Sequence, residues 1–376
     1  ASSTLSTSSQ GLAAPSSSAT AQPMAPIACH DSRLSVFVTS YADQQQNNFK
    51  LIDDTGGDTT KQIRESLDWV MSAGLDRIEF QIGTSEFTKP SDAELIGWIS
   101  DALEHLETNY PEVKAYAWIH ITCGLESDAG GHFFHLPLQV PEGLGAFVHT
   151  TMFYTLTDPA PVYHCEDFSH QLEYLNAADG KQEMVFFPET AWWLGFDNNL
   201  PLAMPVTGWS RQKDIARVDT DWAVDGHVTF TTGREWGYWR YDHYLTRSTW
   251  DPTLTWDAYL DWIQPVFGEG GKPLVAALKS WTALQVKHIY EENPLIFFYL
   301  AGELPQDEAG AAAGVLARRP KRAFKEILQL DDAAFEQWET DDFAMLEGML
   351  GEYQTVLDTV PAETEGSDLQ KTLYTE

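Results

Sequence analysis

Short β-branched runs alternate along the chain with longer stretches of helical periodicity. Leu34-Ser-Val-Phe-Val-Thr-Ser-Tyr41 is apolar and of strand length. Thr60 to Ala73 then carries Ile63, Leu67, Val70 and Met71 at helical spacing, and Gly74 supplies the usual terminator. Arg77 to Ile82 reads as the next strand. Ser91 to Leu106 reads as a helix that starts on a Ser91/Glu94 capping box and lines up Leu95, Trp98, Ile99, Ala102, Leu103 and Leu106 on one face. Lys114 to Ile121 is again strand-like. Further strands are expected at Gly145 to Leu156, Met184 to Phe187, Leu202 to Thr207 and Val228 to Thr231, and further helices at Asp167 to Ala178 and Thr255 to Val266.

Strands and helices alternating at this spacing specify βα units and a parallel sheet. The expected fold is α/β: a (β/α)8 TIM-like barrel with a C-terminal helical extension. Seven strands are counted, and the apolar run Pro294 to Ala301 is the candidate eighth, although it reads equally well as a buried helix. A doubly wound open sheet is the alternative, but no GxGxxG or GxxxxGK[ST] fingerprint supports it. From Lys272 the pattern turns helical, over Leu274 to Tyr290 and then Asp331 to Leu357. The second stretch has an apolar stripe of Phe335, Trp338, Leu346, Met349, Leu350, Tyr353 and Leu357, and an acidic opposite face that reads as solvated. Pro361 to Glu376 reads as a loose tail. The chain is thus expected to divide into a Ser/Thr/Ala/Pro-rich linker over 1–30, a barrel catalytic domain over 31–290 and an acidic helical extension over 291–376.

Composition narrows the function. The 376 residues are 43% hydrophobic and 12% aromatic, enough for a large core and too much for wholesale disorder. The formal net charge is -33, from 23 Lys plus Arg against 56 Asp plus Glu. Such a surface repels polyanions, so no nucleic-acid partner is expected. Solubility is the simplest reading of the acidity, with high-salt adaptation or bound cations as the others. No apolar run is long enough to cross a bilayer, so no membrane insertion is expected. The linker resembles the spacer behind a removed export signal, which points to a secreted or cell-surface protein; a fragment of a longer protein would start the same way. Cys29, Cys123 and Cys165 read as idle or buried thiols, with one disulfide and one free thiol possible; no CxxC pair suggests structural zinc.

The segment Glu189 to Trp262 holds nine of the 14 tryptophans: Trp192, Trp193, Trp209, Trp222, Trp236, Trp239, Trp250, Trp256 and Trp262. Indole faces suit the apolar faces of sugar rings, and the set is expected to divide between core and cleft. Two acids lie at strand ends inside this segment. Glu189 ends Phe186-Phe-Pro-Glu189, and Glu235 follows Val228 to Thr231 with Arg234 beside it. In a barrel, residues just past the C-terminal strand ends converge on one mouth. Two carboxyls meeting there can divide the work: one, desolvated, donates a proton, while the other, ionised near a cation, attacks or stabilises positive charge. Glycoside hydrolysis needs such a pair. Glu189 and Glu235 are the candidate catalytic residues. Trp192, Trp193, Arg234, Trp236, Tyr238, Trp239, His120, Tyr154 and Asp242 are the candidate substrate-binding residues. Tyr41 and Asp158 stand at or near other strand ends, Glu79 sits inside a strand with Glu86 just beyond it, Tyr238, Arg240, Asp242 and His243 continue the Glu235 loop, and Asp197, Asn198 and Asn199 extend the Glu189 loop.

The βα rhythm and the aromatic-flanked Glu189 and Glu235 resemble the barrel-type glycoside hydrolases over about Leu34 to Val266. In that group the commonest arrangement is an Asn-Glu pair after the fourth strand and a second Glu after the seventh. Here Pro188-Glu189 replaces Asn-Glu and follows the fifth strand, while Glu235 follows the seventh. The resemblance implies a glycosidase acting on carbohydrate, secreted or at the cell surface; no cofactor and no metal are expected. Two alternatives stand beside it. One is a non-catalytic carbohydrate-binding protein on the same scaffold. The other is a metal-dependent hydrolase using His132 and His135 with His120, His149 and His164, although HExxH spacing is missing. A GxSxG nucleophile and a DxDxDG calcium loop are also missing.

Overall fold

The computed structural model describes residues 35–39, 51–52, 56–84, 88–140, 142–163, 165–190, 204–222, 224–229, 235–292 and 327–375, and only the backbone at 35–39, 235–237 and 342. Four βα steps, and one crossover from β3 to β4 through a 3-10 helix (Phe133–Gln139), build its first part. In chain order they are β1 (Ser35–Thr39), α1 (Thr59–Met71), β2 (Arg77–Gln81), α2 (Asp92–Asn109), β3 (Lys114–Ile119), β4 (Leu144–Thr150), α3 (Ser169–Ala178), β5 (Met184–Pro188), α4 (Val206–Asp221) and β6 (Gly226–His227). All the strand pairs are parallel, and the spatial order β1-β2-β3-β4-β5-β6 repeats the chain order. A doubly wound sheet reverses direction at a switch point; here the winding never reverses, as in a barrel. The described strands form an arc, and no pairing of β6 with β1 occurs among the described residues.

Local signals set the early helices. Asp58 caps α1 by accepting from the Lys61 amide, and the Ser91/Glu94 capping box is fully formed at α2. Alternate strand residues then divide between two buried faces. Ile78, Phe80, Ala115, Ala117, Ile119, Ala146, Val148, Met184 and Phe186 pack outward against α1, α2 and α3 through Leu67, Val70, Leu95, Ile99 and Leu175. Tyr116, Trp118, Phe147, Val185 and Phe187 pack inward with Val228. Burial on both faces is what a helix-covered parallel sheet requires. Gly145 makes room inside: a Cβ there would lie 2.5 Å from the Tyr116 ring.

The second part departs from expectation. Of the strand expected over Leu202 to Thr207, Leu202 and Ala203 lie outside the described residues, and Val206 and Thr207 open helix α4 instead. The buried face of α4 includes Ser210, Arg211 and Asp214 beside Ile215 and Val218, and those polar positions erase the apolar period that announces a helix. The expected Glu235 loop is helix α5 (Glu235–Trp250). Its buried hydrophobic residues, among those described, are Tyr238, Tyr241, Tyr244 and Leu245, with the helical period carried by tyrosine instead of aliphatic side chains. Among the described residues Glu235 therefore follows β6, the sixth strand, where a seventh was expected. Helices α6 (Trp256–Ile263) and α7 (Gly271–Gln285) complete an aromatic core of Tyr238, Tyr241, Tyr244, Trp256, Tyr259 and Phe267.

The C-terminal residues form α8 (Asp332–Trp338), α9 (Ala344–Leu357) and α10 (Asp368–Thr375). The expected loose tail is instead docked. Thr364 Oγ1 accepts from the Gly270 amide at 2.7 Å and donates to the Phe267 carbonyl at 2.9 Å. Gln370 donates to the Pro265 carbonyl at 2.9 Å, and Tyr374 is buried in the aromatic core. Glu352 of α9 pairs with Lys287 at 2.8 Å and His288 at 2.6 Å on the π-helical turn that extends α7.

The contact between α4 and α6 gives a test. A Cβ on Gly208 would stand 2.2 Å from the buried Trp256 ring. Gly208→Ala raises helix propensity by ~1 kcal/mol, yet overpacking a core costs about 1–3 kcal/mol. Urea unfolding followed by circular dichroism should show a lower midpoint for Gly208→Ala; a raised midpoint would show that propensity wins.

Candidate functional site at the strand ends

The register of β3, β4 and β5 builds one layer. Ile119 pairs with Val148, so His120 and His149 stand opposite each other one step further on, and His149 pairs with Phe187. These rings share the inward face at the C-terminal end of the sheet. Trp118 packs beneath them, with its ring centroid 4.9 Å from His120 and 5.2 Å from His149, and Tyr163 meets His120 edge-on at 5.4 Å. His120 is buried, and burial with His149, His170 and His132 nearby holds its pKa well below the ordinary imidazole value. Its Nδ1 accepts from the Thr122 amide at 3.2 Å, so in the neutral ring Nε2 carries the proton.

Glu189 stands immediately past β5 on the same inward face and is 6% exposed. Its Oε2 accepts from Thr151 Oγ1 at 2.9 Å and from the Met152 amide at 2.5 Å, and its Oε1 lies 3.4 Å from His149 Nε2. Met152 has φ +56°, a left-handed conformation that a residue with Cβ rarely adopts. The carboxylate thus fastens a strained turn at the exit of β4. Arg211 of α4, fully buried, ties the same exits together from behind. It donates to the Glu189 carbonyl at 3.3 Å and the Tyr154 carbonyl at 2.7 Å, and pairs with Asp214 at 3.1 Å. Burial raises Asp214 to about 6, opposed by the Arg211 guanidinium.

Beside Glu189, the Thr190 hydroxyl donates to Asp242 of α5 and lies 3.1 Å from Thr229 Oγ1, which in turn donates to the Pro188 carbonyl. Helix α5 is therefore anchored on the ends of β5 and β6, about two turns past Glu235.

The candidate residues fall in different places. His120, Glu189 and Asp242 stand at the strand-end layer or beside it. Glu235 and Trp236 lie in the first turn of α5, with their side chains outside the described residues. Trp192, Trp193 and Arg234 also fall outside the described residues. Tyr154 is fully buried against Phe153, with ring centroids 4.6 Å apart. Tyr238 is buried in the aromatic core, and Trp239 is half-buried against Phe267. Among the other indoles, Trp256 and Trp222 are core, while Trp250 and Trp262 are exposed. Among the described residues, the indole packed on the strand-end layer is Trp118, which lies outside the Trp-rich segment. Trp118 and Thr151 went unassigned in the sequence, and His149 entered only within the histidine group of the metal alternative, although the period-two alternation of β3 and β4 places all three on the inward face. Arg211 gave no signal.

Glu79 belongs elsewhere. It pairs in register with Tyr116, level with Gly145. Glu183 flanks that level, since its carbonyl accepts from the Ala146 amide. Glu189 is six positions further along the strand, roughly 20 Å at the β rise. Burial alone pushes Glu79 up to about 8, and its Oε1 lacks a hydrogen-bond partner.

For metals, Cys123, His132 and His170 bring ligand atoms within 4.8 Å of one another. Cys123 and Cys165 form a disulfide, so they are not idle thiols.

No protein-family model matches the chain, and no curated protein matches it. Among solved structures, a variant of the Thermobaculum terrenum O-GlcNAc hydrolase overlays 85% of this chain at 11% identity with a TM-score of 0.41. The chain spans 61% of the length of that hydrolase chain. An overlap this shallow does not place the chain in the hydrolase's family.

Glu79 gives a pH prediction. Its folded pKa of about 8 exceeds the ordinary 4.5, so the folded state binds this proton more tightly than the unfolded chain. The stability it supports is therefore complete below 4.5 and lost as pH rises through about 8. Glu79→Gln removes the titration. Melting temperatures of the two proteins should diverge in favour of the variant as pH rises through that window, reflecting a stability difference on the order of a few kcal/mol. Parallel pH curves would show that Glu79 is not held neutral.

Proposed function

We propose that the chain is a glycosidase-like hydrolase that cleaves a glycosidic bond at the C-terminal end of its parallel sheet. One observation carries the reading. The Glu189 carboxylate is held rigidly by Thr151 and Met152 beside His149, on the inward face of the strand ends, with the aromatic rings of Trp118, Phe187 and Tyr163 around that layer. A fixed carboxylate bordered by aromatic faces suits a sugar ring whose anomeric carbon gains positive charge. Glu235 is the proposed second carboxylate. It opens the helix that Asp242 anchors beside Glu189, ~10 Å before Asp242 along the helix axis. His120 and Asp242 are proposed to hold sugar hydroxyls. The Cys123–Cys165 disulfide suits an exported protein, which is the proposed location.

The test is turnover of a panel of aryl-glycosides by the purified full chain. Glu189→Gln should lower kcat about 10²–10⁴-fold with circular dichroism unchanged. Unchanged turnover would reject Glu189 as a catalytic group. Glycan binding by a wild-type chain that hydrolyses nothing on the panel would convert the reading into that of a carbohydrate-binding protein.

A further inference from the structure

At the exit of β3 the disulfide lies against a group of histidines, and neither is used by the proposed hydrolysis. Cys123 Sγ is 3.4 Å from His170 Nδ1. His132 stacks on His170 with ring centroids 4.1 Å apart and planes 16° from parallel. Zinc bonds of roughly 2.3 Å to sulfur and 2.0–2.1 Å to nitrogen set a tetrahedral S···N separation of about 3.5 Å. The Cys123–His170 pair already has that spacing.

The proton arrangement also suits a metal. His170 Nε2 lies 3.3 Å from the His120 carbonyl, to which only a protonated nitrogen donates. Nδ1 is therefore the lone-pair nitrogen, and it faces the sulfur. A ring N–H fixed on a backbone carbonyl is the usual support behind a metal-binding imidazole. The His170 carbonyl is held in turn by His135 Nε2 at 2.9 Å. Neither ring nitrogen of His132 makes a well-formed hydrogen bond, although the Thr122 backbone lies alongside. Burial lowers His132 to about 4 and His170 to about 2, so both rings are neutral, the form that binds metal. His132 is positioned by a tight turn in which Gly130 and Gly131 have φ of +88° and +91° and the Ser127 amide donates to the Gly131 carbonyl.

We infer that Cys123, His132 and His170 form a redox-gated site for a thiophilic divalent metal ion such as zinc, closed while the Cys123–Cys165 disulfide is intact and opened by its reduction. The step balances as thiol–disulfide exchange. A dithiol reductant gives up two electrons and two protons and becomes a disulfide; the Cys123–Cys165 bond breaks and takes up both electrons and both protons as two thiols. The Cys123 thiol releases its proton when its sulfur binds the ion, and Cys165 keeps its own. The site then has one thiolate and two neutral imidazoles, a donor set that favours zinc over calcium or magnesium and leaves the fourth tetrahedral position open. An oxidising compartment holds the chain in the disulfide state.

The experiment is a cobalt(II) titration of the full-length protein in two states, one as purified and one reduced with a dithiol and desalted anaerobically. The reduced protein should bind one equivalent, with a thiolate-to-cobalt charge-transfer band and the intense visible bands of a tetrahedral ion; the oxidised protein should show neither. His132→Ala and His170→Ala, each reduced, should lose affinity by more than the roughly 10–100-fold typical of a supporting partner. Cys165→Ser cannot form the disulfide, so it should bind cobalt without reductant, which keeps the test valid if the reduced wild type unfolds. The inference fails if Cys165→Ser shows no thiolate-to-cobalt band, if the histidine variants bind like wild type, or if the oxidised protein binds equally well. The readout is spectroscopic, so it stands or falls apart from the glycosidase reading.

Discussion

Arg211 is a cation with no exposure to water, and the strand-end layer is arranged around it. Its guanidinium reaches the Glu189 carbonyl, the Tyr154 carbonyl and Asp214, while Asp214 also accepts from the Leu156 amide at 2.9 Å. One residue of α4 therefore sets the spacing between the segment leaving β4 and the segment leaving β5. Removing one partner of such a buried pair typically costs about 3–5 kcal/mol, because the other charge is left without compensation. The orientation of Glu189 follows from this strut. Its backbone is fixed from behind by Arg211, and its side chain reaches forward to Thr151 and Met152. The left-handed turn at Met152 is held between the two.

The same logic explains which elements the sequence reveals. Helices α1 and α2 announce themselves because Asp58 and the Ser91/Glu94 box cap them and aliphatic residues form their buried stripes. Glu189 was legible as a strand-end acid because an unbroken apolar run leads directly to it. Helix α4 was not legible, since the residues that make it structurally important, Ser210, Arg211 and Asp214, are polar and buried. Hydrophobic periodicity cannot detect a face that is satisfied by ion pairing. Helix α5 was missed for a related reason: its buried tyrosines sit between Arg240, Asp242 and His243, and the mixture reads as a polar binding loop. The disulfide partners are separated by 42 positions, and with a third cysteine in the chain no spacing rule chooses between the pairings.

The interior of the sheet has several ionisable groups, and burial makes their charged forms unfavourable. Glu79 is raised and His120, His132 and His170 are lowered, each chiefly by desolvation. The neutral form is favoured in every case, although the direction of the shift differs between acid and base. The formal charge of -33 is therefore not reflected inside the sheet. The buried Arg211 and Asp214 instead pair with each other.

His120 joins the two chemical regions of the molecule. Its ring belongs to the strand-end layer with His149 and Trp118, and its Nδ1 is occupied by Thr122. Its carbonyl accepts from His170 Nε2 at 3.3 Å and from Gln171 Nε2 at 3.4 Å, so α3 is fixed to the end of β3 at this one peptide. Cys165 Sγ also lies 2.7 Å from the carbonyl of the next residue, Ile121. The peptides that set the His120 ring at the mouth thus also set the distance between the sulfur atoms and the histidine pair. A parallel strand end can serve both faces in this way because successive residues point to opposite sides. The ring turns inward toward Glu189, while the adjoining backbone groups turn toward the crossover helix that carries His170.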